Sequence, residues 1–134
     1  MIASDARQLY INAGLITEDS YIKVRDGLWV KSGPYRQRTW LNIEFKFSLP
    51  TKEELNEIYL KLQELIKIQD DCDMLSLREI LDNDWSWVWS STEYDAYGAW
   101  IQRMRGGLQD EICKDSEAWV ISVRRTHECH RNTL

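Results

Sequence analysis

Apolar positions along the chain change period several times, and each change marks an element. Near the start, Ala6, Leu9, Tyr10 and Ala13 recur at helical spacing behind Ser4, a residue type suited to an N-cap, and Gly14 stands where a helix stops. From Tyr21 the pattern alternates. Ile22 and Val24 share one side, Asp26-Gly27 makes a hairpin turn, and Leu28-Trp29-Val30 forms the return strand. Gly33-Pro34 ends that run. Residues 40–47 put Leu41, Ile43, Phe45 and Phe47 on one face and Asn42, Glu44 and Lys46 on the other, which predicts a half-buried strand turned toward the core.

The strongest helical signal follows. Thr51 and Glu54 match a capping box, and Leu55, Ile58, Tyr59, Leu62, Leu65 and Ile66 keep the helical period, predicting a main helix over about residues 52–69. Asp70, Asp71 and Asp73 interrupt it and read as a solvated helix end, and residues 74–81 allow one or two more helical turns before Asp82-Asn83-Asp84. The remainder reads as β. Trp85, Trp87 and Trp89 alternate with Ser86, Val88 and Ser90; residues 99–104 form the next strand; Arg105-Gly106-Gly107 turns the chain; and residues 118–123 form the last strand. Residues 126–134 carry no periodic pattern and read as a loose tail. The expected architecture is a single α+β domain over residues 1–125, an antiparallel sheet with one main helix and a short N-terminal helix.

A chain of 134 residues with 43% hydrophobic side chains supports one such core and no more. Its 17 basic and 22 acidic side chains leave a net charge of −5, which argues against nucleic-acid or anionic-membrane binding driven by bulk charge. Asp5 and Arg7 interrupt the N-terminal stretch where a secretory signal needs an apolar run, and no later run has the length of a membrane span, so neither export nor a membrane anchor is expected. Cys72, Cys113 and Cys129 are odd in number and widely spaced, which favours reduced thiols in a cytoplasm over a disulfide framework. Seven tryptophans suit a core and a recognition surface equally well.

Candidate chemistry is sparse. The only histidines, His127 and His130, fall in the expected tail, a poor place for a preorganised catalytic site, so the chain is read as no enzyme. Those histidines with Cys113 and Cys129 match no standard zinc spacing. Glu93 and Asp95 fall short of a calcium set, and Asp70, Asp71 and Asp73 lack the glycine and terminal glutamate of an EF-hand loop. No cofactor and no metal are therefore expected. Trp85, Trp87 and Trp89 share one face, mainly for core packing. Arg36, Arg38, Arg103, Arg105, Arg124 and Arg125 belong to strands and turns where they can converge with Tyr35, Trp40 or Trp100 into a patch for a sulphated sugar, a phosphate-rich ligand or an acidic protein.

The run Leu49-Pro50-Thr51-Lys52-Glu53-Glu54-Leu55-Asn56-Glu57-Ile58-Tyr59, followed by Trp89-Ser90-Ser91-Thr92-Glu93-Tyr94, Ala99-Trp100 and the closing Trp119-Val120-Ile121-Ser122-Val123-Arg124-Arg125, resembles a known small-domain family. That family is the C-terminal domain of the Legionella collagen-like adhesin, a C-type-lectin-like fold distantly similar to the formylglycine-generating sulfatase-modifying domain, and the resemblance covers about residues 49–125. It implies a single C-type-lectin-like domain. The cysteine pair of the copper-assisted oxidases and the calcium-ligand runs of C-type lectins have no counterpart here, so neither activity carries over. The amino-terminal half departs from the family, which commonly places a helix just before the Leu-Pro-Thr element, where residues 40–47 read as a strand.

In the resembling fold, ligands meet the irregular region around the later strands, here residues 91–107. Tyr94, Tyr97, Trp100, Arg103 and Arg105 are the expected partner-binding residues, aromatic and arginine side chains being the commonest interface hot spots. Freestanding copies of this fold without export signals look like accessory proteins of phages or prophages. The implied function is non-catalytic: cytoplasmic binding of a bacterial host protein, inhibiting a host enzyme or defence complex. The alternative is a carbohydrate-binding or adhesin-type module that recognises sulphated glycans.

The incomplete ligand sets generate a first prediction. EDTA should leave the melting temperature unmoved, and elemental analysis of protein purified without a metal-affinity tag should find no stoichiometric metal. A zinc-to-protein ratio of about one would overturn it, with Cys113, Cys129, His127 and His130 as the ligands to examine.

Overall fold

Gly14, at a φ of 75°, lets the chain leave the N-terminal helix α1 (Ala3–Asn12) through the left-handed conformation, with the Gly14 and Leu15 amides donating back to the carbonyls of Ile11 and Tyr10. The computed structural model describes residues 3–72, 76–80 and 86–126. Helix α1 starts before Ser4, which therefore lies inside the helix rather than at its cap. Strands β1 (Tyr21–Arg25) and β2 (Leu28–Lys31) form the expected hairpin, with Gly27 at a φ of 85° in the turn. Strand β3 (Arg36–Thr39) follows, and then the main helix α2 (Lys52–Asp71). Its capping box is complete: the Thr51 hydroxyl accepts from the Glu54 amide at 3.1 Å, and the Glu54 carboxylate accepts from the Thr51 amide at 2.9 Å.

Beyond α2 come a single helical turn, α3 (Ser76–Glu79), and strands β4 (Trp87–Glu93), β5 (Gly98–Arg103), β6 (Gln109–Cys113), β7 (Glu117–Val120) and β8 (Val123–Arg125). They build two sheets, one of three strands in the order β1-β2-β8 and one of five in the order β3-β7-β4-β5-β6. Every pairing is antiparallel except β4 with β7, which is parallel. The fold is thus a mixed α+β domain with two sheets, where a single antiparallel sheet was expected.

Helix α2 joins the sheets. Its Leu55, Ile58, Leu62, Leu65 and Ile66 are buried against Ile22, Val24, Leu28 and Val30 of the small sheet and Val88 of the large one. Side chains alternate along β4, so Trp87 and Trp89 point the other way, and there Trp89, Ala99, Ile101 and Ala118 form a second cluster under Trp40, Ile43 and Leu49. The tryptophan alternation therefore holds for Trp87 and Trp89; Trp85 lies outside the described residues, as do Asp73, 74–75, 81–84 and the tail beyond Thr126. A polar seam closes the end of α2 against the large sheet, where the Gln102 amide donates to Asn56 (2.9 Å) and the Gln109 amide to the Lys52 carbonyl (3.0 Å).

Three further expectations are corrected. Residues 40–47 form no strand. Two 3₁₀ turns, Trp40–Asn42 and Lys46–Ser48, carry the chain across the large sheet, burying Trp40, Ile43 and Leu49 while Leu41, Phe45 and Phe47 face solvent. The edge beside β7 is already taken by β3, whose Arg-Gln-Arg-Thr sequence has no apolar alternation to announce it. Second, the strand expected over 118–123 divides, β7 serving the large sheet and β8 the small one, with Ile121 and Ser122 crossing between them. Third, Asp70 and Asp71 do more than end a helix in water. Asp70 holds Arg78 of α3 by a bidentate pair, and Asp71 accepts from Tyr10 of α1 (2.6 Å) and Lys67 (2.9 Å).

Arg125 ties these parts together. Its guanidinium donates to both Glu54 oxygens (2.7 and 2.5 Å) and to the carbonyls of Phe47 (2.6 Å) and Leu49 (2.9 Å). Burial pushes the Glu54 carboxyl up, but the bonds from Arg125 and Thr51 outweigh it and hold the group below its ordinary 4.5. The bonds from Arg78 hold Asp70 below its ordinary 3.8, and those from Tyr10 and Lys67 do the same for Asp71.

Two predictions follow from this packing. Leu62→Ala should destabilise by about 2 to 5 kcal/mol in a denaturant melt, and a change below about 0.5 kcal/mol would remove α2 from the core. The depressed carboxyls mean that the unfolded chain binds protons before the folded one does. Their contribution is therefore complete above the ordinary carboxyl range and is lost as pH falls through that range toward the lower folded-state values. The melting temperature should fall between about pH 5 and pH 3, and Glu54→Gln should flatten that slope. A Glu54→Gln slope equal to that of the parent would show that this carboxylate takes no part.

Candidate functional site

Trp40 is the anchor on which the surface is built. Its indole N–H donates to the Ser90 carbonyl at 3.0 Å, and the ammonium groups of Lys46 and Lys114 lie 4.6 and 4.7 Å from its ring centroid. Both lysines are engaged locally. Lys46 donates to the Ile43 carbonyl (2.8 Å), and the buried Lys114 pairs with Glu93 (2.5 Å) and donates to the Ala96 carbonyl (3.1 Å). Residues 40–49, the cover segment, thereby grip the large sheet at Trp40, Ile43 and Leu49, and the side chains between those anchors are left outside.

Leu41 of this segment is 62% exposed, Phe45 61% and Phe47 75%, and in the turn between β4 and β5 Tyr94 is 53% and Tyr97 79% exposed. Phe45 and Phe47 meet edge to face with centroids 6.2 Å apart. Leu41 and Tyr97 border one hollow of about 200 Å³ with Lys114 and Cys113, and Tyr97 and Tyr94 border the next, of about 430 Å³, with Asp95 and Glu111. The tyrosine turn is held by Asp95, whose Oδ1 accepts from the amides of Tyr97 and Gly98 at 2.8 Å each. A side chain at Gly98 would stand 3.2 Å from the Ile112 carbonyl, so the close approach of β5 and β6 behind this turn favours glycine. Tyr94 packs edge-on against Trp100 at 5.7 Å, and the Lys52 ammonium lies 3.6 Å from the Trp100 centroid.

The five residues expected to form one site fall into two groups. Tyr94, Tyr97 and Trp100 stand together. Arg103 lies at the far end of β5, opposite Trp87, and donates to the Arg105 carbonyl (3.0 Å); Arg105 borders a separate hollow beside Tyr59 and Leu60 of α2. Trp100 and Arg103 are three residues apart on one strand, so they point to opposite faces of the sheet. The wider arginine patch also divides. Arg36, Arg38 and Arg103 share the Trp87 face by strand register, whereas Arg124 pairs with Asp19 and covers the Tyr21 ring, and Arg125 is committed to Glu54.

Leu41, Phe45 and Phe47 are the residues that sequence reasoning assigned to the core. Their alternation is identical to that of a half-buried strand, so the pattern alone carries no signal of exposure. Of the calcium candidates, Glu93 serves Lys114 and Asp95 serves its own turn. Among the described residues no cluster of three or more His, Cys, Asp or Glu side chains is placed to hold a metal ion; His127, Cys129 and His130 lie outside them. Cys72 and Cys113 are free thiols, and burial raises the Cys72 pKa. No protein family matches the chain, and no curated protein matches it either.

Proposed function

We propose that this protein is a non-catalytic binding module whose exposed aromatic surface receives a partner protein. One observation carries the reading: Leu41, Phe45, Phe47, Tyr94 and Tyr97 stay in solvent on segments that are themselves fastened by Trp40 and Asp95. Large apolar groups held outside on a fixed frame are the composition of an interface centre, and a rigid frame lowers the ordering cost of binding. In the fuller form of the proposal the module is a C-type-lectin-like domain acting in the cytoplasm as a phage or prophage accessory protein, with a host enzyme or defence complex as its target. The resemblance over 49–125 is what supports this form. No described helix is long and apolar enough to cross a membrane.

The sulphated-glycan alternative requires cationic donors among the aromatic rings. Arg103 and Arg105 lie at the other end of β5, and the hollow at Tyr94 and Tyr97 carries the carboxylates of Asp95 and Glu111, which repel sulphate. At the tyrosine turn this charge favours a protein partner, and Lys52 over Trp100 with Arg36 and Arg38 beside Phe45 are the cations a sulphated glycan would need instead.

Affinity capture from a bacterial lysate, read by mass spectrometry, tests the proposal. The parent protein should retain one stoichiometric partner. Phe47→Ala with Tyr97→Ala should weaken capture by about 30-fold or more, the equivalent of one hot spot of about 2 kcal/mol, while the melting temperature moves by less than about 3 °C. Undiminished capture by the folded double variant removes this surface from the function, and retention by heparin-type glycans alone replaces the protein partner with the alternative.

A further inference from the structure

Four arginines of this chain are matched to acids: Arg25 meets Glu57, Arg78 meets Asp70, Arg124 meets Asp19 and Arg125 meets Glu54. Arg36 and Arg38 have no such partner among the described residues, although the chain carries a net charge of −5 and acids are plentiful. Arg38 reaches only the neighbouring Gln37 carbonyl. The two stand at alternate positions of the edge strand β3, so they lie on one face with a spacing of about 7 Å.

That face opens into a cleft of about 390 Å³ between β3 and the cover segment. Asn42 and Ser122 add uncharged hydrogen-bonding groups, Val120 lies in its apolar floor, and Phe45 forms an exposed wall. Glu44 is the one acid in the lining, which leaves a surplus of one positive charge. Unneutralised guanidinium groups present forked donors whose geometry fits carboxylates, and an unpaired pair of them gives a partner both its attraction and its register.

We infer that this cleft receives an extended acidic segment of the partner protein, in which carboxylates two residues apart meet Arg36 and Arg38 and the apolar residue between or beside them packs on Phe45. The spacing carries the match, since side chains at alternate positions of an extended chain repeat at the same interval of about 7 Å as the two arginines. A lone phosphate fits less well, because it spans one guanidinium and leaves the aromatic wall unused. The inference rests on the protein-binding reading above and adds to it the chemistry of the partner.

The probe is a fluorescein-labelled peptide with a central Glu-Leu-Glu, compared with a Gln-Leu-Gln control by fluorescence anisotropy. The full chain should bind the acidic peptide with a Kd of about 10 to 300 μM, and the control at least about tenfold more weakly. Arg36→Gln with Arg38→Gln should weaken binding about tenfold or more, and raising the salt from about 50 to 500 mM should weaken it too. Glu44→Gln, which removes the opposing charge, should tighten binding about two- to fivefold, a gain that damage to folding cannot mimic. Equal binding of the two peptides, equal binding by the double arginine variant, competition by inorganic phosphate as strong as by unlabelled peptide, or no binding at about 1 mM peptide would each overturn the inference. The lysate experiment keeps the two readings apart. Capture that is lost in Phe47→Ala with Tyr97→Ala while the peptide fails to bind sinks the cleft alone. Peptide binding with no protein captured sinks the broader reading alone.

Discussion

The guanidinium of Arg125 joins three parts of the chain through one hydrogen-bonded group. Its donors reach the Glu54 carboxylate of the capping box and the carbonyls of Phe47 and Leu49 at the end of the cover segment, while its own strand belongs to the small sheet. A bidentate pair on a carboxylate that is already accepting from the Thr51 amide leaves little freedom in the angle at which α2 starts. The helix then carries Leu55, Ile58 and Leu62 into the space between the sheets. One hydrogen-bonded node therefore sets both the direction of the main helix and the point where the cover segment ends.

From that point the exposure of the aromatic surface is a matter of geometry. The segment must run from Thr39, fixed in the large sheet, to Leu49, fixed under Arg125, and its anchors on the way are Trp40 and Ile43. Anchors at positions 40, 43 and 49 cannot also bury 41, 45 and 47, which point away from the sheet whatever their hydrophobicity. Hydrophobic burial is one-sided here because, among the described residues, the segment is a single layer with no further element above it. Of the apolar groups so displayed, Leu41 sits next to the tyrosine turn and Phe45 beside the arginine cleft at β3.

Charge follows the same division of labour. The acids at the C-terminal end of α2 hold α1 and α3, Glu54 holds Arg125, and Asp19 holds Arg124, so most of the strong ion pairs serve the assembly of the fold. These contacts lie largely at the surface, where each is worth little on its own. Their common dependence on ionised carboxyls makes them act together when the pH falls. Arg36 and Arg38 stand apart from that network, and so does the function assigned to them.

Much of the local structure was legible in the chain itself. Thr51 with Glu54, the apolar stripe of α2, Asp26-Gly27 and Gly14 each act on neighbouring residues, and the elements they specify form where the pattern places them. The alternation of Trp87 and Trp89 likewise needed only the geometry of one strand. Strands β3 and β6 were invisible because their pairing with β7 and β5 is made by backbone groups, and their side chains are largely polar. The fate of residues 40–47 was decided by which edge β3 had already taken, and the separation of Arg103 and Arg105 from Tyr94 and Tyr97 by the length and pleat of β5. Periodicity determined which residues share a side of an element. Only the packing of elements against one another decided which side was covered, because burial depends on what stands opposite, and the partner lies far away in sequence.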